Sequence, residues 1–238
     1  MSELLRERTG TTLVLTLNRP DKMNALSASL VDALLDAVGE AAGDGTRLLV
    51  LRGEGRTFSA GFDFGGYEDQ SEGDLLLRFV RIEQLLQALA HAPFDTLALA
   101  HGRNFGAGVD LICACGRRLA DPAATFRMPG LSFGLVLGTR RYAERVGGSK
   151  ARLTLQEGRV FDAGEALADG FLTGLSPVAA WPDALASAGE ASVRLSEWAS
   201  AALHRAAARD TRADDLADLV ASAARPGLKD RIRAYRAG

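Results

Sequence analysis

Two segments of the chain share a design with chemical potential. In the first, Leu48-Leu49-Val50-Leu51 runs through Gly53 to Phe58-Ser59-Ala60-Gly61-Phe62-Asp63. In the second, Leu97-Ala98-Leu99-Ala100 runs through His101-Gly102 to Phe105-Gly106-Ala107-Gly108-Val109-Asp110. Small residues let a backbone approach a ligand closely, and a helix start leaves N–H donors free. Two such donors aimed at one carbonyl oxygen make an oxyanion hole. The same glycine-containing junction also serves as a packing device, so spacing alone leaves both readings open. Asp110 falls at the head of the second helical segment. A carboxyl there works as a general acid or base near neutrality if burial raises its pKa from about 3.9. It works equally as an aspartate satisfied by helix N–H groups.

Other reactive side chains are read more plainly. Tyr67, His91 and Tyr142 are candidates by proximity in sequence only. His91 precedes the Ala92-Pro93 turn, which suits a capping or surface role. Cys113 and Cys115 are two residues apart on one helix and so point to different faces. They read as buried small hydrophobes, with no His/Cys cluster for zinc and no useful disulfide loop. Arg140-Arg141 reads as a solvated basic turn, or as partners for carboxylates or a neighbouring chain. Arg225, Lys229, Arg231 and Arg233 read as a solvated basic helix that could also approach a phosphate across an interface. Trp198 and Leu203 are expected to pack on the core or on a neighbouring subunit.

The elements that must position these groups alternate. Thr11–Leu17 reads as a strand ending at the turn Asn18-Arg19-Pro20-Asp21. Ser27 caps a helix marked by Leu30, Leu34, Val38 and Ala41. Leu48–Leu51 and Thr96–Ala100 read as buried strands, with a helix over Asp74–Ala90 between them and a buried helix over Gly106–Cys115 after them. Gly134–Gly148 reads as a loose segment. Ala163–Asp169 is a short helix stopped by Gly170. Beyond Trp181-Pro182 alanine dominates, and Ala184–Arg209 and Arg212–Ala224 read as two helices. The alternation predicts an α/β fold with a core over residues 1–181 and a helical tail over 182–238.

Hydrophobic residues make up 47% of the 238-residue chain, enough for a sizeable core. A net charge of −2 without a basic field argues against nucleic acid or a membrane surface as partner. The apolar runs are too short to span a bilayer. The charged start Met-Ser-Glu-Leu-Leu-Arg-Glu-Arg does not read as a secretory signal, so a cytoplasmic location is expected.

In this order, several segments resemble the enoyl-CoA hydratase/isomerase (crotonase) superfamily. Leu17-Asn18-Arg19-Pro20-Asp21-Lys22-Met23-Asn24-Ala25-Leu26 resembles its N-terminal signature. Phe58 to Asp63 and His101 to Asp110 resemble its two oxyanion loops. Phe161-Asp162-Ala163-Gly164-Glu165-Ala166, followed by Gly170-Phe171-Leu172, is similar to the segment after its active site. The resemblance covers most of residues 1–175 and implies a crotonase-like spiral of ββα repeats with a C-terminal helical oligomerisation region. It implies an acyl-CoA substrate, with coenzyme A present as part of the thioester and no tightly bound cofactor. It implies a homo-trimer or dimer of trimers, and a place in fatty acid metabolism.

Carried over position by position, the Phe62 and Ala107 N–H groups become the oxyanion donors and Asp110 the acid/base. Ala60, Phe62, Asp63, Phe64 and Ala107 line the coenzyme A groove, with Lys22 and Ala25 beside its nucleotide end. Hydratases of the family use two acidic residues, because water addition needs a base for the water and an acid for the α-carbon. Here Gly130 stands at the second position, and the segment after Gly134 is short. The implied activity is an acyl-CoA lyase or isomerase. The alternatives are an acyl-CoA binding protein without turnover, or a family decarboxylase or hydrolase.

Overall fold

The computed structural model describes residues 2–237. Strands β1 (Leu4–Thr9) and β2 (Thr12–Leu17) form an antiparallel hairpin. The Ser27 hydroxyl accepts from Leu30 N–H and starts α1 (Ala28–Ala41), which buries Leu30, Leu34 and Val38 one turn apart. Strand β3 (Leu48–Gly53) then pairs parallel to β2. Ser71 and Asp74 form a capping box at the head of α2 (Glu72–Ala90). After α2 come β4 (Asp95–Ala100), β5 (Arg103–Phe105) and α3 (Ala107–Ala114). The chain continues through β6 (Arg117–Ala120), β7 (Thr125–Arg127), α4 (Thr139–Val146) and α5 (Gly148–Glu157). Strand β8 (Val160–Asp162), α6 (Ala163–Ala168) and β9 (Gly174–Leu175) complete the strands. The tail is α7 (Trp181–Ser192), α8 (Glu197–Ala207), α9 (Arg212–Ala223) and α10 (Leu228–Ala237).

The expected α/β class forms. The main sheet runs β1-β2-β3-β4-β6-β9, parallel throughout except at β1, and a second sheet runs β5-β7-β8. Parallel neighbours need crossovers, and α1, α2 and α3 supply them while covering one sheet face. The other face is covered by α7, whose Trp181 and Ala188 pack on Val14, Leu48, Val50, Leu97 and Leu99. That double cover explains why β3 reads as a continuous apolar run rather than an alternating one. Leu219 and Ala223 of α9, with Leu228 and Ile232 of α10, enter the main core.

Two expectations change and a third narrows. Gly134–Gly148 is not loose throughout: α4 occupies Thr139–Val146, and what it buries is Arg141 and Tyr142. A helix that buries an arginine has no apolar periodicity to read. The expected helix over Ala184–Arg209 is two helices, with α7 starting at Trp181 and a break over Val193–Ser196. Alanine favours helix on both sides of the break, so only the Ser196 cap, accepting from Ala199 N–H, marked the second start. Trp198 and Leu203 do not pack on the core; they are 78% and 54% exposed. Among the described residues no helix is long and apolar enough to cross a membrane.

Candidate active site

The two glycine-containing loops meet backbone to backbone. Phe58 N–H donates to His101 O at 3.0 Å and Phe105 N–H to Ser59 O at 3.2 Å. Leu26 N–H donates to Gly61 O at 2.7 Å, and Asp63 N–H to Leu26 O at 3.3 Å. Gly61, at φ +81°, is pressed on the second loop: a Cβ there would lie 2.3 Å from Phe105 O and 3.0 Å from Ala107 N. Only glycine fits both that dihedral and that contact. Flanked by these bonds, Phe62 N–H donates to no described residue. Ala107 is the first residue of α3, and its N–H is likewise without an acceptor among the described residues. Two free backbone donors therefore stand on touching loops.

Both residues line an apolar cavity of about 260 Å³. Ala60, Phe62, Phe64, Ala107, Asp110 and Gly130 all line it. Met128, Phe133, Leu135, Leu137 and Leu155 make its walls, and Tyr235 lines it from α10. Among the lining side chains only Asp110, Thr139 and Tyr235 carry oxygen. Lys22, Ala25 and Asp63 lie outside it. Lys22 sits exposed in a 3-10 turn, and Ala25 O accepts from Arg19 Nη1. Asp63 takes Arg19 at 2.8 Å and Gly65 N–H at 2.8 Å. Burial pushes the Asp63 carboxyl up, but these bonds win and hold it below its usual value, so it stays an anion. The Phe62 ring stacks on Phe79 at 4.3 Å, with the Arg78 guanidinium 4.2 Å from its centre, which pins the loop carrying the donor.

Asp110 is 4% exposed. Its Oδ1 is sealed and accepts no hydrogen bond, which counts against an aspartate satisfied by helix N–H groups. Burial pushes its carboxyl well above the ordinary value; Arg141 opposes the rise and Glu83 adds to it. A carboxyl shifted upward keeps its proton to higher pH than an ordinary aspartate and can donate it. Gly130 opens a 3-10 turn over Gly130–Phe133, and no second carboxylate lines the cavity in its place.

Tyr67 and Tyr142 are buried off the cavity, against Phe64 and against Phe161 and Phe171. His91 caps the end of α2, in the capping role expected of it. Cys113 and Cys115 are buried, and burial pushes their thiols up to about 11 and about 12, so neither is a nucleophile near neutrality. The Arg140-Arg141 pair is not a solvated turn. Arg141 is buried against Glu83 and Asp215, and Arg140 reaches Asp215 and Asp218. Arg231 also departs from the solvated-helix reading. Its Nη1 donates to Phe133 O at 3.0 Å and Gly134 O at 3.1 Å, bracing the cavity wall. Leu135, Leu137 and Thr139 line the cavity, as expected of a segment able to reshape an acyl pocket, whereas Tyr235 went unread as a site residue, since no local pattern ties it to the two loops.

A family model described as enoyl-CoA hydratase/isomerase matches residues 7–225. "Probable enoyl-CoA hydratase echA6" of Mycobacterium bovis is 32% identical over 170 residues, covering 70% of this chain and 68% of its own length. Ethylmalonyl-CoA decarboxylase of Bos taurus is 30% identical over 185 residues, covering 74% of this chain and 58% of its own length. A crystal structure from Bordetella parapertussis, provisionally named an enoyl-CoA hydratase/isomerase, matches over 99% of both chains at 54% identity and TM-score 0.98. A hydratase name and a decarboxylase name thus stand at nearly equal identity, which identifies a family and leaves the reaction to the site. By the extent of the family match and the fold it shares with that structure, this chain belongs to the enoyl-CoA hydratase/isomerase (crotonase) family.

Proposed function

We propose that the chain is an enzyme acting on an acyl-CoA thioester. The thioester oxygen sits between Phe62 N–H and Ala107 N–H, and Asp110 exchanges a proton at the α-carbon. The observation that carries this reading is that two residues with unengaged backbone donors line the same cavity as a buried carboxyl whose Oδ1 has no hydrogen-bond partner. As charge moves onto the thioester oxygen to form an enolate, both donors strengthen, each worth about 2.7–4 kcal/mol in comparable holes. The dipole of α3 adds to the field at Ala107. The apolar walls favour a hydrocarbon acyl group. Ala60, Asp63 and Phe64 line the coenzyme A groove, with Lys22 and Ala25 towards the nucleotide. Residues 182–238 supply the contacts of a homo-trimer or dimer of trimers, with Trp198 and Leu203 on that surface.

Gly130 decides which reactions suit the site. Hydration needs a base for water besides the acid, and Gly130 offers no side chain for it. One-carboxyl chemistry fits better: protonation of an enolate by the acid form of Asp110, or a double-bond shift in which its ionised form first takes a proton from the substrate and then returns it. A second reading follows from the same residue. In a malonyl-type CoA, the bond from the α-carbon to the carboxylate breaks and its electron pair moves towards the thioester oxygen. Carbon dioxide leaves, and Asp110 gives its proton to the α-carbon. No base is needed. A panel of enoyl-, 3-hydroxyacyl-, β-ketoacyl- and malonyl-type CoA substrates separates these readings. Absence of binding to every acyl-CoA in calorimetry would overturn the first proposal outright. Binding without any turnover would mark the chain as an acyl-CoA binding protein.

A further inference from the structure

Behind Asp110 lies a set of charges, buried at Glu83, Arg141 and Asp215, that lines no part of the cavity. Glu83 of α2 is 0% exposed and Arg141 of α4 is 6% exposed. Arg141 Nη1 donates to Glu83 Oε2 at 3.1 Å, and Nη2 donates to Glu83 Oε1. The same Nη2 lies 3.1 Å from Asp215 Oδ2. Asp215, on α9, also takes Arg140 Nη1 at 2.5 Å and the Thr211 hydroxyl at 2.8 Å. Arg140 Nη2 reaches Asp218 at 2.9 Å, and Gln87 Nε2 donates to Glu83 at 2.9 Å. Three carboxylates (Glu83, Asp215, Asp218) thus face two guanidinium groups (Arg140, Arg141), leaving the set one negative charge in excess.

The helix that carries both arginines is packed directly on Asp110. Gly138, at its head, touches the carboxyl so closely that a Cβ would lie 2.0 Å from Oδ1. Yet Oδ1 receives no hydrogen bond. The cation whose charge reaches Asp110 is Arg141, and both its Nη groups are already engaged by carboxylates. We propose that Glu83 is a positioning residue for Asp110: together with Asp215 it engages both Nη groups of Arg141, so that this guanidinium makes no ion pair with the cavity carboxyl.

The other charged groups around Asp110 do not fill that gap. On α2, Arg78 lies over the Phe62 ring and donates to Asp63 O. Burial, then Arg212, holds His91 at the end of α2 below its ordinary value. On α10, Arg231 is bound to the carbonyls of Phe133 and Gly134. On α3 itself, Cys113 is a neutral thiol. An ionised Asp110 would be a buried anion without a hydrogen bond, facing a set already in negative excess. Were Arg141 free of Glu83, the attraction would favour the ionised form.

This inference rests on the reading of Asp110 as the acid, but its test needs no turnover. In substrate-free protein, the infrared C=O stretch of the protonated carboxyl is assigned as the band lost in Asp110→Asn. It is then titrated in the native chain and in Glu83→Gln, which keeps the side-chain shape and one acceptor for Arg141. The expected result is a midpoint lower by about one pH unit or more in Glu83→Gln, tenfold in proton affinity. Circular dichroism verifies that the variant is folded. Asp215→Asn moves the midpoint the same way by less, and decides the matter if Glu83→Gln does not fold. An unchanged or raised midpoint in a folded variant overturns the proposal. A midpoint that moves as expected in a protein that turns over no acyl-CoA would sink the acid role and leave the charge arrangement standing.

Discussion

Gly138 lies against the carboxylate of Asp110: a Cβ at position 138 would stand 2.0 Å from Oδ1, with the backbone at φ +63°. The first turn of α4 is therefore the back wall of the proposed acid. Gly138→Ala must displace that carboxyl or shift the helix. A displacement of about 1 Å costs roughly 10²-fold in rate. We expect a fall in kcat of at least that size with acyl-CoA affinity little changed. A Gly138→Ala variant with native kcat would show that the position of Asp110 is not critical.

Asp110→Asn removes the proton and keeps the shape. Turnover is expected to fall about 10²–10⁴-fold, as for other lost general acids, while thioester binding persists. The pH dependence has a definite sign. Burial raises the folded carboxyl above its ordinary value of 3.8, so the folded chain holds this proton more tightly than the unfolded chain. Its contribution to stability is complete below that ordinary value and is lost as pH rises through the raised folded one. The acid form, and turnover that depends on it, declines over the same upper range. Urea titrations across pH should show this loss in the native chain and not in Asp110→Asn.

Gly61→Ala should separate the two loops. Its Cβ would fall 2.3 Å from Phe105 O, and backbone on both sides leaves little room to yield. Loss of one oxyanion donor alone costs about 10²–10³-fold in kcat. Gly43→Ala is the control, because nothing lies within 4 Å of its added Cβ. Equal activity in the two variants would refute the hole.

Arg141→Met leaves Glu83 buried with no cation. Breaking a buried pair from one side costs about 3–5 kcal/mol, and that loss is expected in denaturant unfolding. Arg212→Met, which breaks an exposed pair with Asp210, should leave the unfolding curve where it was. Adding Glu83→Gln to Arg141→Met should recover part of the loss.

Gly130→Glu adds a carboxyl to the cavity wall, where the sequence resemblance implies one in hydratases of the family. The added Cβ would meet Leu135 O at 3.2 Å, so the turn must yield by a few tenths of an ångström. Hydration of crotonyl-CoA should rise above the native level. A variant that binds crotonyl-CoA as the native chain does, but hydrates it no faster, would show that Gly130 is not what limits this reaction.

Much of the fold was legible because its causes are local. Ser27 and Leu30 announce α1, and the apolar runs at Leu48 and Leu97 announce buried parallel strands, since each acts within a few residues. The ordered loops around Gly61 and Gly106 were legible for the same reason. The helix at Thr139–Val146 was not, because what it buries is an ion pair. A charged residue reads as exposed until its partner is known, and Glu83 comes from another helix.

By itself the sequence determined the α/β alternation, the two glycine-containing loops, the single carboxyl at Asp110 and the absence of one at Gly130. These are matters of residue type and near-neighbour spacing. Only the tertiary structure decided that Gly61 brings the Phe62 and Ala107 donors onto touching loops, that Tyr235 lines the cavity, and that Arg141 is paired with Glu83 and Asp215. The physical reason is that desolvation and Coulomb energy depend on which distant segments exclude water together. Glu83, Asp110, Arg141 and Asp215 belong to four different helices and meet only when all four are packed.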